Sequence, residues 1–205
     1  MRAPTTPNAG RVTELALADQ PAAAALEFAR FEYPEIEPDA YLARLDSLAG
    51  AVEGGTHLSL RRVLAIREGY GGNVDDFGNP DNSFLNRVLE TRRGIPISLS
   101  LIWIEVGRRV GIDMEGVGLP GHFLVYAGKQ LVDPFHYGEA IGADEAAALV
   151  ASSLGGAPRL NPAWLEPVTT PELIARMLRN LEARYSELNE SDRHPWVGEC
   201  LAGLS

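Results

Sequence analysis

The chain has 205 residues, of which 45% are hydrophobic and 22% are charged, and this globular composition excludes a disordered or fibrous protein. Its 28 acidic residues against 18 basic ones give a formal charge of −10, and such a field repels the phosphate backbone of nucleic acids. No apolar run approaches the ~20 residues that cross a membrane, and the first residues carry no secretory signal. We therefore expect a cytoplasmic protein that binds neither nucleic acids nor membranes.

The N-terminal part of the sequence predicts helices followed by one long loop. Residues 1–20, rich in Pro, Thr and Ala, lack sustained apolar periodicity and predict a flexible arm. After it, apolar residues at helical spacing predict three helices, at 22–31, 38–52 and 57–67. Turn-forming, aromatic and acidic residues then fill 69–82, which we interpret as a connecting loop or as the rim of a binding site. Its acidic residues lack the ligand order of an EF-hand calcium loop.

The middle of the chain changes from helix to strand. A short helix capped by Asp81 or Asn82 precedes the most apolar helix of the sequence, which begins at Pro96 and ends before Gly111. The remaining segments are three strands at 114–118, 122–126 and 130–135, a helix at 142–154, a strand at 164–168, and helices at 170–188 and 192–201. This order predicts an α+β fold in which a central helix packs on a small antiparallel sheet, with helical segments at both ends.

Two of the predicted strands bring a histidine and an aspartate to one face of a hairpin. If Ala127 and Gly128 form the two-residue turn, His122 lies directly opposite Asp133. Opposed side chains have Cβ atoms ~4.5–5.5 Å apart, which allows a hydrogen bond between imidazole and carboxylate. An aspartate so placed fixes the histidine tautomer for proton transfer. A purely structural pair would have the same sequence signature.

Few residues are available for metal or thiol chemistry. The single cysteine, Cys200, can form neither an internal disulfide nor a CxxC metal clip. The four histidines show no HExxH spacing. We therefore expect no metal site and no cofactor.

Several motifs together resemble a known family. The segment 82–100, which contains Gly94-Ile95-Pro96, is followed by the segment 116–124 around His122 and then by Val132-Asp133-Pro134-Phe135. These motifs resemble the bacterial SirB-type branch of the transglutaminase-like superfamily, over roughly residues 22–190. The resemblance implies a papain-like core in which a nucleophile at a helix N-terminus faces a sheet that supplies histidine and then aspartate. His122 and Asp133 match those two roles.

The resemblance also places Pro96 where active members carry the nucleophilic cysteine. Those members open the helix with Gly-x-Cys and carry a glycine about fifteen residues after the cysteine; here Pro96 and Gly111 occupy the two positions. Proline offers no nucleophile. Two serines of the same helix are alternatives: Ser98 lies about 200° around the helix from Pro96, and Ser100 returns to within about 40° but lies roughly 6 Å further along the axis.

We therefore expect a transglutaminase-like pseudo-enzyme, a regulatory module that reuses the cleft to bind a protein or peptide. The alternative is a hydrolase or acyl transferase that uses Ser98 or Ser100 as nucleophile with His122 and Asp133.

SirB-type relatives commonly carry tetratricopeptide helices after the core, and this implies three parts in the chain. They are a flexible arm at 1–20, a transglutaminase-like domain at 21–168, and a C-terminal helical pair at 169–205 that resembles a truncated tetratricopeptide segment. One helical pair cannot bury its own apolar face, so this pair must either pack on the core or meet another subunit, and a homodimer is a further hypothesis.

Overall fold

The computed structural model describes residues 6–156 and 160–204, and helices dominate these ranges. The α-helices are α1 (Ala9–Leu17), α2 (Pro21–Ala29), α3 (Pro38–Gly50), α4 (His57–Arg61), α5 (Leu85–Thr91), α6 (Pro96–Arg109), α7 (Ala143–Leu154), α8 (Thr170–Glu187) and α9 (Trp196–Gly203). A π-helical segment, Arg62–Arg67, continues α4, and short 3-10 helices occupy Pro80–Ser83, Pro162–Leu165 and Ser191–Arg193. No described helix is both long enough and apolar enough to cross a membrane.

The strands form one main sheet and one small pair. They are β1 (Gly71–Gly72), β2 (Arg93–Gly94), β3 (Met114–Val117), β4 (Leu124–Ala127), β5 (Gln130–Asp133), β6 (Glu139–Ala140) and β7 (Pro167–Val168). The main sheet has the order β6-β5-β4-β3-β7, with antiparallel neighbours throughout. β1 and β2 form a parallel pair. Because β2 ends just before α6 begins, this pair ties the loop that follows β1 to the start of α6.

Helix α6 lies at the centre of the fold. All of its residues from Pro96 to Gly107 are buried, and it packs on β3 and β4. Side chains alternate across the sheet, so Val125 and Val132 join the large core around α6, whereas Leu124 and Leu131 join a smaller cluster with α7. The mixture of helix and sheet agrees with the predicted α+β class.

The structure corrects the prediction of a flexible arm for the described part of residues 1–20; residues 1–5 lie outside the described ranges. Residues 9–17 form α1, whose N-cap Asn8 accepts a hydrogen bond from the backbone N–H of Arg11 at 3.3 Å. Val12, Leu15 and Ala16 are buried in the large core, and α1 packs against α2, α8 and α9. So short a helix depends on tertiary packing, which local periodicity does not reveal.

The register of the central hairpin also differs from the prediction. Gly128 and Lys129 form the turn, because Ala127 pairs with Gln130 and Val125 pairs with Val132. Gly128 has a φ of 63°, which glycine adopts without steric cost at the first position of such a turn. Relative to the predicted pairing, the opposite strand is displaced by two residues. A two-residue displacement keeps every side chain on its original face.

The C-terminal part contains a shorter strand than predicted, and its long helix has a different N-cap residue. Of the strand expected at 164–168, only Pro167–Val168 pairs, at the edge of the sheet beside β3, because Asn161 caps a 3-10 helix that opens with Pro162. Helix α8 is capped by Thr169 through a capping box with Glu172, not by Thr170.

Helices α8 and α9 share the large core with α1, α2 and α6. Their apolar faces are therefore covered within the chain, so the helical pair packs on the core.

Candidate functional site

A cavity of about 240 Å³ opens at the N-terminus of α6. Four parts of the chain form its walls: the loop after β1, the start of α6, the segment before β4, and one face of α8. The lining residues are Phe77, Asn79, Ser83, Ile95, Pro96, Ile97, Gly121, His122, Phe123, Arg176, Asn180, Ala183 and Arg184. The structure thus brings Pro96 and His122 to the same cavity, and it makes part of the segment 69–82 a wall of that cavity.

Pro96 is the first residue of α6. The N-cap Ile95 is extended, with φ −90° and ψ 166°, as expected for a residue that precedes proline. Proline suits the first helical position because its fixed φ is helical and no hydrogen bond is lost there. The position therefore favours proline for local reasons, while the side chain faces a cavity.

The two predicted serine candidates serve other contacts. Ser98 Oγ accepts a hydrogen bond from the backbone N–H of Ile95 at 3.1 Å and lies 2.6 Å from the carbonyl oxygen of Asn82, to which it donates. Ser100 Oγ lies 3.5 Å from the carbonyl oxygen of Phe123. Both serines are fully buried, and neither lines the cavity. The serine that does line it is Ser83, which reasoning from helix geometry did not consider because Ser83 precedes α6 in another element.

His122 and Asp133 form the predicted pair. His122 Nε2 lies 2.8 Å from Asp133 Oδ2, although the two residues are diagonal, not directly opposed, in the hairpin. The second ring nitrogen of His122, Nδ1, is therefore the one not bonded to Asp133. The His122 ring also packs edge-on against Phe135, with centroids 5.9 Å apart.

Asp133 lies at the end of β5, where the chain turns, and it organises that turn. Its Oδ1 accepts hydrogen bonds from the backbone N–H groups of Phe135 and His136 at 3.0 and 3.4 Å. Its Oδ2 also lies 2.7 Å from His136 Nδ1. Burial raises the pKa of Asp133, but the hydrogen bonds and charges of His122 and His136 more than offset it, so the pKa is below its usual value.

His136 is a site residue that the sequence reasoning missed. Its spacing from the aspartate, Asp133-x-x-His136, was the available signal, because a residue three positions on can fold back after a strand ends. His122, Asp133 and His136 each offer one ligand atom, and these three atoms lie within 4.8 Å of one another. Two imidazoles and a carboxylate are a donor set for zinc or iron. The hydrogen bonds of the two histidines to Asp133 also explain, without a metal ion, why these three side chains lie together.

Arg176 on α8 supports the segment that carries the histidine. Its Nη2 donates to the carbonyl oxygen of His122 at 2.8 Å and to that of Leu119. The guanidinium lies 5.5 Å from the centroid of the Phe123 ring, in cation–π range. The spacing of Arg176, Asn180 and Arg184 places them on one helix face, but only the tertiary structure shows that this face meets the cavity.

Cys200 contributes nothing to this cavity. It is fully buried in α9 within the large core, and burial raises the pKa of its thiol to about 12. A buried thiol of this kind is inert.

Comparisons with known proteins agree with this architecture. A sequence profile of the transglutaminase-like superfamily matches residues 39–179, more than half of the chain. A UPF0162 protein of Xylella fastidiosa is 39% identical over 185 residues, which cover 82% of this chain and 66% of the relative. A UPF0162 protein of Vibrio cholerae is 26% identical over 180 residues, covering 85% of this chain and 64% of the relative.

A shorter similarity links the chain to a mammalian protein. F-box only protein 21 of Mus musculus is 43% identical over 67 residues, which cover 33% of this chain and 11% of the relative. No solved structure gave a significant match. The chain spans slightly less than two thirds of the length of the two bacterial relatives. With a family profile matching most of its length, this chain belongs to the transglutaminase-like superfamily.

Proposed function

We propose that this chain is a transglutaminase-like pseudo-enzyme, a regulatory module whose cleft binds a peptide segment of a partner protein. The observation that carries the proposal is that Pro96 and His122 line one cavity and that no cysteine lines it among the described residues. A thiol nucleophile acts at a helix N-terminus beside a histidine, and the proline ring supplies no reactive atom at that place. The His122–Asp133 pair has a structural role that does not depend on catalysis, because Asp133 also holds the turn after β5.

The choice of a peptide as guest rests on the fold and on the cavity walls. Clefts of transglutaminase-like proteins handle side-chain or main-chain amides, and this is an argument by fold analogy. The walls combine aromatic rings with hydrogen-bonding groups: Phe77 is 42% exposed and Phe123 lies deeper, while Asn79 and Asn180 add amide groups. Apolar contact area with a few polar anchors is the usual character of a binding cleft.

A serine hydrolase or acyl transferase is the second candidate. Ser98 and Ser100 are hydrogen-bonded to backbone carbonyl oxygens, which leaves Ser83 as the hydroxyl that shares the cavity with His122. A serine nucleophile needs a general base within about 2.6–3.2 Å, or slightly farther in a ligand-free state. In the described part of the chain His122 makes no hydrogen bond to any of these three serines.

Covalent labelling separates the two candidates. The protein is treated with a fluorophosphonate probe and with iodoacetamide, and modified residues are mapped by mass spectrometry. We expect no labelling that depends on His122, so wild type and His122→Gln should give the same result. His136→Gln is the matched control, since it removes an exposed histidine of the same cluster. Labelling of Ser83, Ser98 or Ser100 that His122→Gln abolishes and His136→Gln preserves would establish the serine enzyme.

Binding is tested by blocking the cleft from its solvent side. A displayed peptide library is selected on wild type, and the recovered peptides are measured by calorimetry. Ala183 is exposed and lines the cavity, so Ala183→Trp should fill the cleft and weaken binding about tenfold or more. The control Ala148→Trp, exposed on α7 away from the cavity, should leave the affinity within about twofold. Equal binding by both variants, or a selection that yields no binder, would overturn the proposal.

We also propose that the chain belongs to the SirB-type branch, that 169–205 is a truncated tetratricopeptide segment, that the protein is cytoplasmic, and that it forms a homodimer. For the last of these, sedimentation showing a monomer at micromolar concentration would remove the hypothesis.

A further inference from the structure

The cavity has a charge character opposite to that of the whole chain. The formal charge of the chain is −10, yet the lining residues include two arginines and a histidine and no aspartate or glutamate. A lining that has basic groups and no carboxylate can accept a negative group.

Arg176 carries most of this character. Arg184 is partly neutralised by an ion pair with Glu187, whereas no carboxylate pairs with Arg176 among the described residues. Burial alone lowers the pKa of Arg176, with no opposing acidic neighbour. Most other arginines in the described ranges make ion pairs, as Arg87 does with Asp81 and Arg109 does with Asp46.

The hydrogen bonds of Arg176 leave part of its guanidinium free for a ligand. Nη2 donates to the carbonyl oxygens of Leu119 and His122, which fixes the position of the guanidinium plane. The donors on Nη1 and Nε have no acceptor in the described part of the chain. A guanidinium held in place by two carbonyl oxygens keeps its full positive charge, and a remaining N–H group can donate one charge-assisted hydrogen bond to an anion. A half-buried cation without a counter-ion costs free energy, and an anionic guest would offset that cost.

We infer that the cleft recognises a carboxylate of its peptide guest and that Arg176 is the residue that binds it. This inference rests on the proposed function and specifies the partner as an acidic peptide segment. The carboxylate can belong to an aspartate or glutamate side chain or to a peptide C-terminus, and both sources present the same charged group to Arg176.

Nuclear magnetic resonance titrations with three short peptides test the inference. The first is Ala-Ala-Glu-Ala-Ala with both ends capped, the second is its Gln counterpart, and the third is uncapped at the C-terminus and contains alanine alone. On ¹⁵N-labelled wild type, the signals to follow are the Arg176 side-chain Nε–H and the backbone amides of Ile97 and Phe123. We expect at least one carboxylate peptide to bind about tenfold tighter than the Gln peptide. The Glu and C-terminal arms show which source of carboxylate is preferred.

Variants then assign the preference to a residue. Arg176→Gln should abolish the preference for carboxylate, and Arg176→Lys should retain only part of it because lysine keeps the charge but lacks the planar group that the carbonyl oxygens of Leu119 and His122 hold in place. Arg179→Gln is the matched control: Arg179 lies on the same helix, is exposed and does not line the cavity, so its loss should leave the preference unchanged. The comparison of peptides on wild type decides the question even if Arg176→Gln fails to fold.

The outcomes distinguish this inference from the proposed function. If library peptides bind in the cleft while Glu and Gln peptides bind equally, the carboxylate inference is wrong and the peptide-binding proposal stands. If no peptide of any kind perturbs Ile97 or Phe123, both are wrong. An equal loss of preference in Arg179→Gln and Arg176→Gln would show that the effect is general charge attraction and would overturn the assignment to Arg176.

Discussion

His122 Nε2 and Asp133 Oδ2 lie 2.8 Å apart, and His136 Nδ1 approaches the same oxygen at 2.7 Å. Two backbone N–H groups meet the other oxygen of this carboxylate. Four donors thus converge on an aspartate that is 1% exposed. Asp133 therefore orients His122 and at the same time closes the turn after β5, so its loss should affect the fold as well as the cleft.

Asp133→Ala should lower the free energy of unfolding by about 3 kcal/mol, because it leaves buried donors without an acceptor. Urea denaturation measures the change. His136→Ala is the control and should cost less than about 1 kcal/mol, since this histidine is half exposed and its ion pair is screened. A stability of Asp133→Ala within 1 kcal/mol of wild type would contradict the structural role.

The stability supplied by Asp133 should depend on pH. Its pKa in the folded state is lower than the ordinary value of 3.8, so folding is favoured by its ionised form. This contribution is present in full above about pH 5, declines as the pH falls below about 4, and is lost once the pH passes below the folded pKa. The difference in unfolding free energy between wild type and Asp133→Asn, measured from pH 5 downward, should therefore shrink. A difference that stays constant over this range would refute the lowered pKa.

Pro96→Cys should restore a reactive thiol at the cleft. The substitution is tolerable because the first helical position needs only a helical φ. A thiol there would lie at a helix N-terminus in the cavity that His122 lines, and both conditions lower a thiol pKa. We expect iodoacetamide at about pH 6.5 to modify this cysteine and not the buried Cys200, as measured by mass spectrometry.

The control for that experiment is the double variant Pro96→Cys with His122→Gln. If the histidine activates the thiol, the double variant should react about tenfold more slowly. Equal rates would show that the histidine does not reach the introduced sulfur, and the spatial equivalence of Pro96 to a catalytic cysteine would then fail.

Any side chain at position 138 should destabilise the fold, because the backbone conformation favours glycine and a neighbouring ring leaves no room for a Cβ atom. Gly138 has a φ of 68°, and a Cβ atom there would overlap the ring of the buried Trp103. Gly138→Ala should therefore cost about 3 kcal/mol or more. Gly128→Ala is the matched control, because Gly128 has a φ of 63° and open space around it, so only the conformational cost of about 1 kcal/mol applies. If thermal denaturation shows that Gly138→Ala and Gly128→Ala lose equal amounts of stability, the close contact with Trp103 is excluded.

The cluster of His122, Asp133 and His136 should bind transition metals weakly. One nitrogen of each imidazole is already hydrogen-bonded to Asp133 Oδ2, so an ion bound by these two nitrogens would have to break both contacts. We expect Co²⁺ to produce no visible absorption band and Zn²⁺ to leave the melting temperature unchanged at pH 7. A rise in melting temperature with Zn²⁺ that His136→Gln abolishes would instead establish a metal site.

Local signals in the sequence were sufficient to predict many helices and strands and one side-chain contact, that of His122 with Asp133. Helices α2, α3, α6 and α7 follow from apolar spacing and from prolines and glycines at their ends, because these act within a few residues along the chain. The meeting of His122 and Asp133 was predictable despite the wrong turn. Strand side chains alternate with a period of two, so a displacement by two residues preserved the shared face.

Only the tertiary structure decided how distant segments meet. Helix α1 is buried against distant parts of the chain. Ser98 donates to the carbonyl oxygen of Asn82, 16 positions before it, and Arg176 lies beside His122, 54 positions before it. The sequence by itself therefore determined the α+β pattern, the histidine–aspartate pair and the proline at the start of the central helix. Which residues share the cleft depended on long-range packing, because a side chain's neighbours across elements are set by how helices and sheet dock and not by spacing along the chain.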